Sequence, residues 1–473
     1  MPKTIRKTSP NVSRRTANLV NPVRHRRAGF IVFSLVRTAC GGRDLLVSSP
    51  IMNTESDTHR AINTVWKIER PRLIAGLTRV VRDISMAEEL AQDALVAALG
   101  AWPETGVPDN PGAWLMQTAK RRAIDQFRHR AMAANKLAEV AHGIAVDTPD
   151  AVSVLHEALD DDVGDDLLRL MFTACHPILS APARVALTLR LLGGLTTQEI
   201  ARAFLVAETT IGQRIVRAKK AIADANIAYE VPRGAAREAR LGSVLGVIYL
   251  IFNEGYSATA GADWMRPQLC EEAMRLGRVL ARLMPEESEV HALVALMEIQ
   301  ASRLGARTDA AGEPILLLDQ DRSRWDWLLI GRGLAALDRA VALGGGEQPY
   351  ALQAAIAACH ASARKAGDTD WSRIAALYGV LVTMTPSAVI ELNRAVAVSM
   401  AEGPAAGLAL LAAIADDPVL KDYHLLFSVR GDLLSRLGQG AAAAGAFRRA
   451  AELTRNGRER AYLLGRAATE GGR

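Results

Sequence analysis

Hydrophobic residues along this 473-residue chain recur mostly at spacings of three and four, and alternation with period two is hard to find. That periodicity places apolar side chains on one face of a helix. Ala and Leu dominate and aromatic residues make up only 5% of the chain, a composition that favours helices over strands. The pattern predicts an all-α protein, long enough for two to four domains.

Three amphipathic helices are predicted between residues 52 and 133. The first covers Ile68 to Val81. A capping box of Ser85 and Glu88 starts the second, whose polar, acidic face consists of Glu88, Glu89, Gln92 and Asp93. Asn110 before Pro111 signals the start of the third. Its apolar stripe carries Trp114, which we expect in the core, and its outer face carries Lys120, Arg121, Arg122 and Arg128.

The segment TQEIARAFLVAETTIGQRIVRAKKAI, residues 197–222, has the pattern of a helix-turn-helix whose second helix is rich in Arg and Lys. Thr196 or Thr197 can cap the first helix. In the second helix, Ile211, Ile215, Ala218 and Ile222 recur on one face. The other face has side chains able to bond base edges and phosphates: Glu208, Thr209, Thr210, Gln213, Arg214, Arg217 and Lys220. This favours a helix that enters a DNA major groove, although a solvated basic face fits the segment equally well.

The turn of this motif carries Leu205 where Gly, which tolerates a left-handed backbone, is usual. We therefore expect the geometry of the turn to differ from the common motif.

A helical array is predicted over residues 231–473. Its clearest repeat has the spacing of a tetratricopeptide unit, with Phe427, Gly431, Leu434, Gly438, Ala443, Phe447 and Ala450. Shifted back by 36 residues, the equivalent places hold Ala395, Val398, Gly407, Leu411 and Ile414. The repeat favours a solenoid, and an irregular helical bundle is the alternative.

The formal net charge of +6 comes from the N-terminus. Residues 1–51 contain ten Lys or Arg and one acidic residue, whereas residues 52–473 contain 47 basic and 50 acidic residues. The basic balance is therefore no evidence that the folded part binds nucleic acid. An apolar run from Ala28 to Val36 is too short to cross a bilayer. We interpret residues 1–51 as a disordered basic extension or an artefact of start-codon choice, with Met52 as the natural start.

Candidate chemistry is sparse. The four Cys residues lie far apart and the nine His are scattered, so we expect no disulfide framework, metal site or cofactor. Cys175 beside His176 indicates a buried thiol rather than a catalytic dyad. Glu254 with Tyr256 lacks an accompanying nucleophile, metal cluster or phosphate loop. These features predict a non-enzymatic protein of the reducing cytoplasm without membrane association.

Three segments occur in a specific order: AEELAQDALVAALGAW, NPGAWLMQTAKRRAIDQFR and LRLLGGLTTQEIARAFLVAETTIGQRIVRAKKAI. Together they resemble regions 2 and 4 of extracytoplasmic-function (ECF) sigma factors of bacterial RNA polymerase. YLIFNEGYSATAG and DQDRSRWDW, together with EVPRGAAREARL and PSAVIELNRAVAVSMAEGP, are similar to the C-terminal extension of the ECF42 group. The resemblance covers residues 52–473, with region 2 at 52–133, a linker at 134–165, region 4 at 166–230 and the extension at 231–473.

The resemblance implies a partner for each candidate face. Glu88, Glu89, Gln92 and Asp93 would dock on the clamp helices of the largest subunit of core RNA polymerase. The −10 promoter element would meet the loop 104–111 and the following helix, with Asn110, Trp114, Lys120, Arg121, Arg122 and Arg128. The helix from Glu208 to Lys220 would read the −35 element. ECF42 members generally lack an anti-sigma factor, which implies that the extension regulates activity or binds a protein partner.

Two other function classes remain open. A helix-turn-helix regulator with a helical-repeat sensor would bind duplex DNA without polymerase, but it leaves residues 87–128 unexplained. A helical scaffold would not bind DNA at all. Core-polymerase binding distinguishes these classes from a sigma factor.

Overall fold

The computed structural model describes residues 57–142, 163–258, 265–310 and 314–472. Regular structure in these ranges is helical, and strand-type pairing is confined to one isolated bridge between Thr308 and Pro314. The all-α prediction is confirmed. The predicted N-terminal extension and most of the predicted linker lie outside the described residues. Among the helices of the described ranges, none is long and apolar enough to cross a membrane.

The first block contains α1 (Asp57–Val81) and α2 (Ile84–Thr105). α1 begins earlier than predicted and continues through Pro71. The Asp83 carboxylate caps α2 by accepting the backbone N–H groups of Ser85 and Met86, at 2.7 and 3.0 Å. The predicted capping box of Ser85 and Glu88 is therefore wrong, because Asp83 supplies the cap and Glu88 has other partners.

The third helix, α3 (Pro111–His142), begins where the sequence predicted. Asn110 Oδ1 accepts the backbone N–H of Ala113 at 3.1 Å, as expected for a helix N-cap. The helix continues past residue 133, where the first helical block was predicted to end.

Four helices follow: α4 (Val163–Ala174), α5 (Ala181–Leu191), α6 (Thr197–Phe204) and α7 (Glu208–Asp224). Their apolar faces share one core with α1, α2 and the start of the extension. α4 packs against α1, where Arg79 Nε lies 3.1 Å from an Asp166 carboxylate oxygen. The Tyr229 hydroxyl, just after α7, lies 2.9 Å from the carbonyl oxygen of Ala75 and 3.0 Å from that of Asp166. The helix-turn-helix is thus held against the first block.

The extension is a succession of helices in which each helix packs on its neighbours in the chain. Its helices are α8 (Ala235–Tyr256), α9 (Pro267–Leu283), α10 (Ser288–Ala301), α11 (Trp327–Ala342), α12 (Pro349–Ser362), α13 (Trp371–Met384), α14 (Ala388–Ala401), α15 (Pro404–Ile414), α16 (His424–Arg436), α17 (Gly440–Leu453) and α18 (Gly457–Gly471).

The residues of the predicted repeat lie at contacts between paired helices. A Cβ on Gly431 of α16 would come within 2.8 Å of the Phe447 ring of α17, and a Cβ on Gly407 of α15 would come within 2.9 Å of the Ala395 carbonyl oxygen of α14. Small residues at these places let the two helices of each pair approach closely. The 36-residue spacing therefore corresponds to one helix pair.

The extension also contacts the helix-turn-helix side of the molecule. Arg275 Nη2 of α9 donates to the carbonyl oxygen of Leu192 at 2.5 Å, and Arg240 Nη2 of α8 donates to that of Phe172 at 2.9 Å. Arg184 of α5 hydrogen-bonds Ser243 of α8. Hydrogen bonds from charged donors to backbone carbonyl oxygens are strong. The extension is therefore held firmly against α4, α5 and the residues that follow α5.

Candidate nucleic-acid and polymerase interfaces

The turn between α6 and α7 has the geometry of a helix-turn-helix despite its unusual residue. Thr196 caps α6 with a complete capping box, in which its hydroxyl accepts the Glu199 N–H and the Glu199 carboxylate accepts the Thr196 N–H. Leu205 then adopts a left-handed conformation, with φ 50° and ψ 47°. The expectation of a different geometry at Leu205 is therefore wrong, because Leu takes the backbone conformation that Gly usually supplies.

α7 buries one face and exposes the other as its periodicity predicted. Ile211, Ile215, Ala218 and Ile222 are buried. Arg214 is half-buried on the opposite side. The other members of the predicted reading face are exposed to solvent: Glu208, Thr209, Thr210, Gln213, Arg217 and Lys220. This leaves a polar and basic helix face open to a large partner.

The outer face of α2 carries fewer charged residues and more apolar residues than predicted. Glu89 and Gln92 are exposed, and Asp93 pairs with Arg122 of α3 at 3.3 Å. Val96, one turn further along, is 63% exposed. Sequence reasoning missed Val96 and its neighbour Leu99, also exposed, although Val96 lies at i, i+3, i+4 and i+7 spacing with the three polar residues.

Glu88 does not belong to this outer face. Only 5% of the residue is exposed, and its carboxylate meets three cations from three helices. Arg70 Nη2 of α1 lies 2.8 Å and Arg190 Nε of α5 lies 2.7 Å from Oε1, while Lys219 Nζ of α7 lies 2.5 Å from Oε2. We call these four residues the Glu88 cluster. The prediction that Glu88 is available on a polar surface is wrong, because α5 and α7 cover it.

The electrostatics of the Glu88 cluster favour an ionised carboxylate. Burial by itself raises the pKa of Glu88, but the charges of Lys219, Arg190 and Arg70 outweigh it and bring the pKa below its ordinary value of 4.5. Sequence patterns gave no signal for the cluster, since Arg190 and Lys219 lie more than 100 positions from Glu88.

The predicted −10 residues form a band along the loop before α3 and along α3 itself. Asn110, Arg121 and Arg128 are exposed, and Lys120 and Arg122 are half-buried. Trp114 packs edge-on against the buried Trp102 of α2, with ring centroids 5.3 Å apart. Trp114 is half-buried, so it packs against the core and still presents part of its ring to solvent.

The segments YLIFNEGYSATAG and DQDRSRWDW make contacts within the extension itself. Arg322 donates to the carbonyl oxygens of His360 and Ala363 near the end of α12, at 2.7 and 2.5 Å, and Asp326 caps α11. Glu254 forms an ion pair with Arg266. The contacts of Arg322 and Asp326 therefore fasten residues 319–327 to α12 and to the start of α11.

The Cys175 thiol is buried in the core. Burial raises the pKa of the Cys175 thiol to about 11, so this side chain stays protonated near neutral pH. No group of His, Cys, Asp or Glu within the described ranges is arranged to hold a metal ion.

Comparison with known families matches the two candidate interfaces in chain order. The Sigma-70 region 2 family matches residues 66–132 and the Sigma-70 region 4 family matches residues 169–222. A family of unknown function, DUF6596, matches residues 240–341. The first match spans most of α1 to α3, and the second contains the whole helix-turn-helix.

Individual relatives match different shares of the chain. Uncharacterized protein R00370 of Rhizobium meliloti is 43% identical over 395 residues, or 83% of this chain and 92% of that protein. The Probable ECF RNA polymerase sigma factor SigI of Mycobacterium tuberculosis is 27% identical over 37% of this chain and 58% of its own length. The ECF RNA polymerase sigma factor SigK of Mycobacterium sp. (strain KMS) is 31% identical over 33% of this chain and 77% of that relative. With both sigma-70 regions matched in order as well, the chain belongs to the family of ECF RNA polymerase sigma factors.

Proposed function

We propose that this protein binds core RNA polymerase, recognises −10 and −35 promoter elements and starts transcription there. The observation that carries the proposal is the exposed polar face of α7 inside a region 4 match, following an exposed α2 face inside a region 2 match. Neither an independent DNA-binding regulator nor a scaffold accounts for both faces in that order.

The polymerase contact is assigned to the outer face of α2. Glu89, Gln92 and Asp93 supply polar groups, and the exposed Val96 supplies the apolar contact that protein interfaces require at their centre. The clamp helices of the largest subunit are the expected partner. Glu88 reaches that partner only if the Glu88 cluster opens.

The −10 element is assigned to the loop before α3 and to the band of Asn110, Trp114, Lys120, Arg121, Arg122 and Arg128. The cations on α3 would follow the DNA backbone. Unstacked bases would enter beside the exposed loop, which holds the single strand that melting produces.

The −35 element is assigned to the reading face of α7. Arg214 and Arg217 would meet guanine or phosphate, and Gln213 would meet adenine, because these side chains pair with those base edges in a major groove. Glu208, Thr209, Thr210 and Lys220 complete the contact with bases and phosphates.

The extension is assigned a regulatory role, with or without a protein partner. This role is supported by the hydrogen bonds that Arg275 and Arg240 of the extension donate to backbone carbonyl oxygens of region 4. We also propose membership of the ECF42 group, because the two segments that resemble its C-terminal extension lie within a region, residues 240–341, that this chain shares with a wider family.

Core binding and run-off transcription with the full chain test this function. We expect the protein to co-purify with core enzyme and to start transcription, and we expect Val96→Asp to lose core binding at least about tenfold because it buries a charge in the interface. Val419→Asp is the matched control, since Val419 is 57% exposed in the extension. A folded full chain that does not bind core enzyme contradicts the sigma-factor function and leaves the DNA-binding regulator and the scaffold.

A further inference from the structure

The Glu88 cluster joins two modules that the proposed function requires to act far apart. Region 2 contributes Arg70 and Glu88, and region 4 contributes Arg190 and Lys219. Arg70 and Glu88 are almost fully buried, and Arg190 and Lys219 retain about a fifth of their exposure or less. Removing one partner of such a buried ion pair strongly destabilises the folded protein, because the other charge remains buried without compensation.

The distance between promoter elements is larger than this arrangement allows. Elements centred at −10 and −35 lie about 25 base pairs apart, which is about 85 Å at 3.4 Å per base pair. Glu88 is about 25 Å from the end of α2, and Lys219 is about 15 Å from Thr209, at 1.5 Å per residue. Even if the two helices were laid end to end, a junction at Glu88 and Lys219 would keep the end of α2 and Thr209 within about 40 Å of each other along the helix axes, about half of that span.

We infer that the Glu88 cluster is an autoinhibitory contact that keeps regions 2 and 4 closed, and that it must break before both promoter elements are bound. This inference rests on the proposed function. The closed form leaves the α7 reading face exposed. The inhibition therefore does not block the −35 element alone but prevents the protein from binding the −10 and −35 elements at the same time.

The extension defines which parts separate. Arg275 of α9 donates to the Leu192 carbonyl oxygen in the connection between α5 and α6, directly after the helix that carries Arg190. A Cβ on Gly193 would lie 3.2 Å from the Glu272 carboxylate of α9. Region 4 and the extension therefore move as one body when region 2 leaves.

Distances between spin labels in the full chain test the closed state without polymerase. One label pair joins region 2 to region 4 at the exposed Ile68 and Val216, and a second joins region 4 to the extension at Val216 and Val341. Cys40 and Cys359 are replaced by Ser, while Cys175 and Cys270 are buried. The wild-type chain should give a short Ile68–Val216 distance alone and a long one with core enzyme, while the Val216–Val341 distance stays constant.

Glu88→Gln removes the shared carboxylate charge and should raise the ratio of open to closed molecules about tenfold without polymerase, within the usual range of coupling between sites. Lys219→Gln cuts only one inter-region bond and should raise the ratio less. Glu391→Gln is the matched control, because Glu391 pairs with Arg394 inside α14, and it should leave the distances unchanged.

An Ile68–Val216 distance that is long in the free wild-type chain overturns the inference. So does a wild-type distance distribution in both folded Glu88→Gln and Lys219→Gln chains. If Glu88→Gln does not fold, Lys219→Gln decides alone. Failure to bind core enzyme would remove the proposed function, yet the distances of the free chain would still establish or refute the closed contact.

Discussion

The helices α2 and α7 carry the two candidate interfaces, and they differ in how completely their polar faces meet solvent. On α7, six of the seven predicted residues are exposed and the seventh, Arg214, is half-buried. On α2, Glu88 of the predicted face is buried, and the exposed Val96 belongs to that face although it was not predicted. Helical periodicity identifies the side of a helix that faces away from its own core. It does not identify a second surface that a distant segment covers.

The largest expected effect concerns the buried charge of α2. Glu88→Ala should lower the free energy of unfolding by about 3–5 kcal/mol, because Arg70, Arg190 and Lys219 would remain near one another without their carboxylate. Because the pKa of Glu88 is depressed in the folded protein, its contribution is present above pH 4.5 and is lost as the pH falls through the folded value. Denaturant unfolding at neutral and acidic pH measures both effects.

Glu89→Ala is the control, since Glu89 neighbours Glu88 on the same helix but is exposed. It should change the free energy of unfolding by less than about 0.5 kcal/mol. Equal losses in the two variants would mean that burial of Glu88 does not distinguish these positions.

An intermediate effect is expected on the open face of α7. Arg214→Ala should weaken binding to a −35 duplex by about 1–3 kcal/mol if Arg214 contacts a base in bidentate fashion. Arg217→Ala should cost less and reduce the salt dependence of binding if Arg217 meets only phosphate. Fluorescence anisotropy at two salt concentrations separates these cases.

Arg373→Ala in α13 is the matched control for both, because Arg373 is an exposed Arg of the extension. Undiminished DNA binding by both α7 variants would show that this face does not read the −35 element.

The smallest expected effect is at the turn that leads into α7. Leu205→Gly should raise the free energy of unfolding by about 1 kcal/mol, since Leu205 pays for a left-handed backbone that Gly adopts freely. Leu437→Gly at the end of α16 should be destabilising instead, because φ there is −89°. Thermal unfolding compares the two, and destabilisation by Leu205→Gly would show that the Leu205 side chain contributes more than its backbone costs.

Local signals predicted much of the fold. The cap at Thr196, one of the two candidates, the Asn110 cap and the buried stripe of α7 each follow from residues within a few positions of one another. The capping prediction failed at Ser85, where Asp83 lies two residues earlier and makes the same kind of bond. The Glu88 cluster could not be predicted from local patterns, since its members lie on four helices and meet only after these have packed.

The Glu88 cluster also has an unequal charge balance: one carboxylate faces three cations. If Glu88 stays paired with Arg70 when regions 2 and 4 separate, Arg190 on α5 and Lys219 on α7 lose their carboxylate partner. Region 4 then carries two additional positive charges that are not neutralised by an acidic side chain. Each phosphate that such a cation neutralises releases about 0.9 counterions from duplex DNA. Separation of the regions would thus increase the affinity of region 4 for DNA through the entropy of counterion release, with no additional base contact.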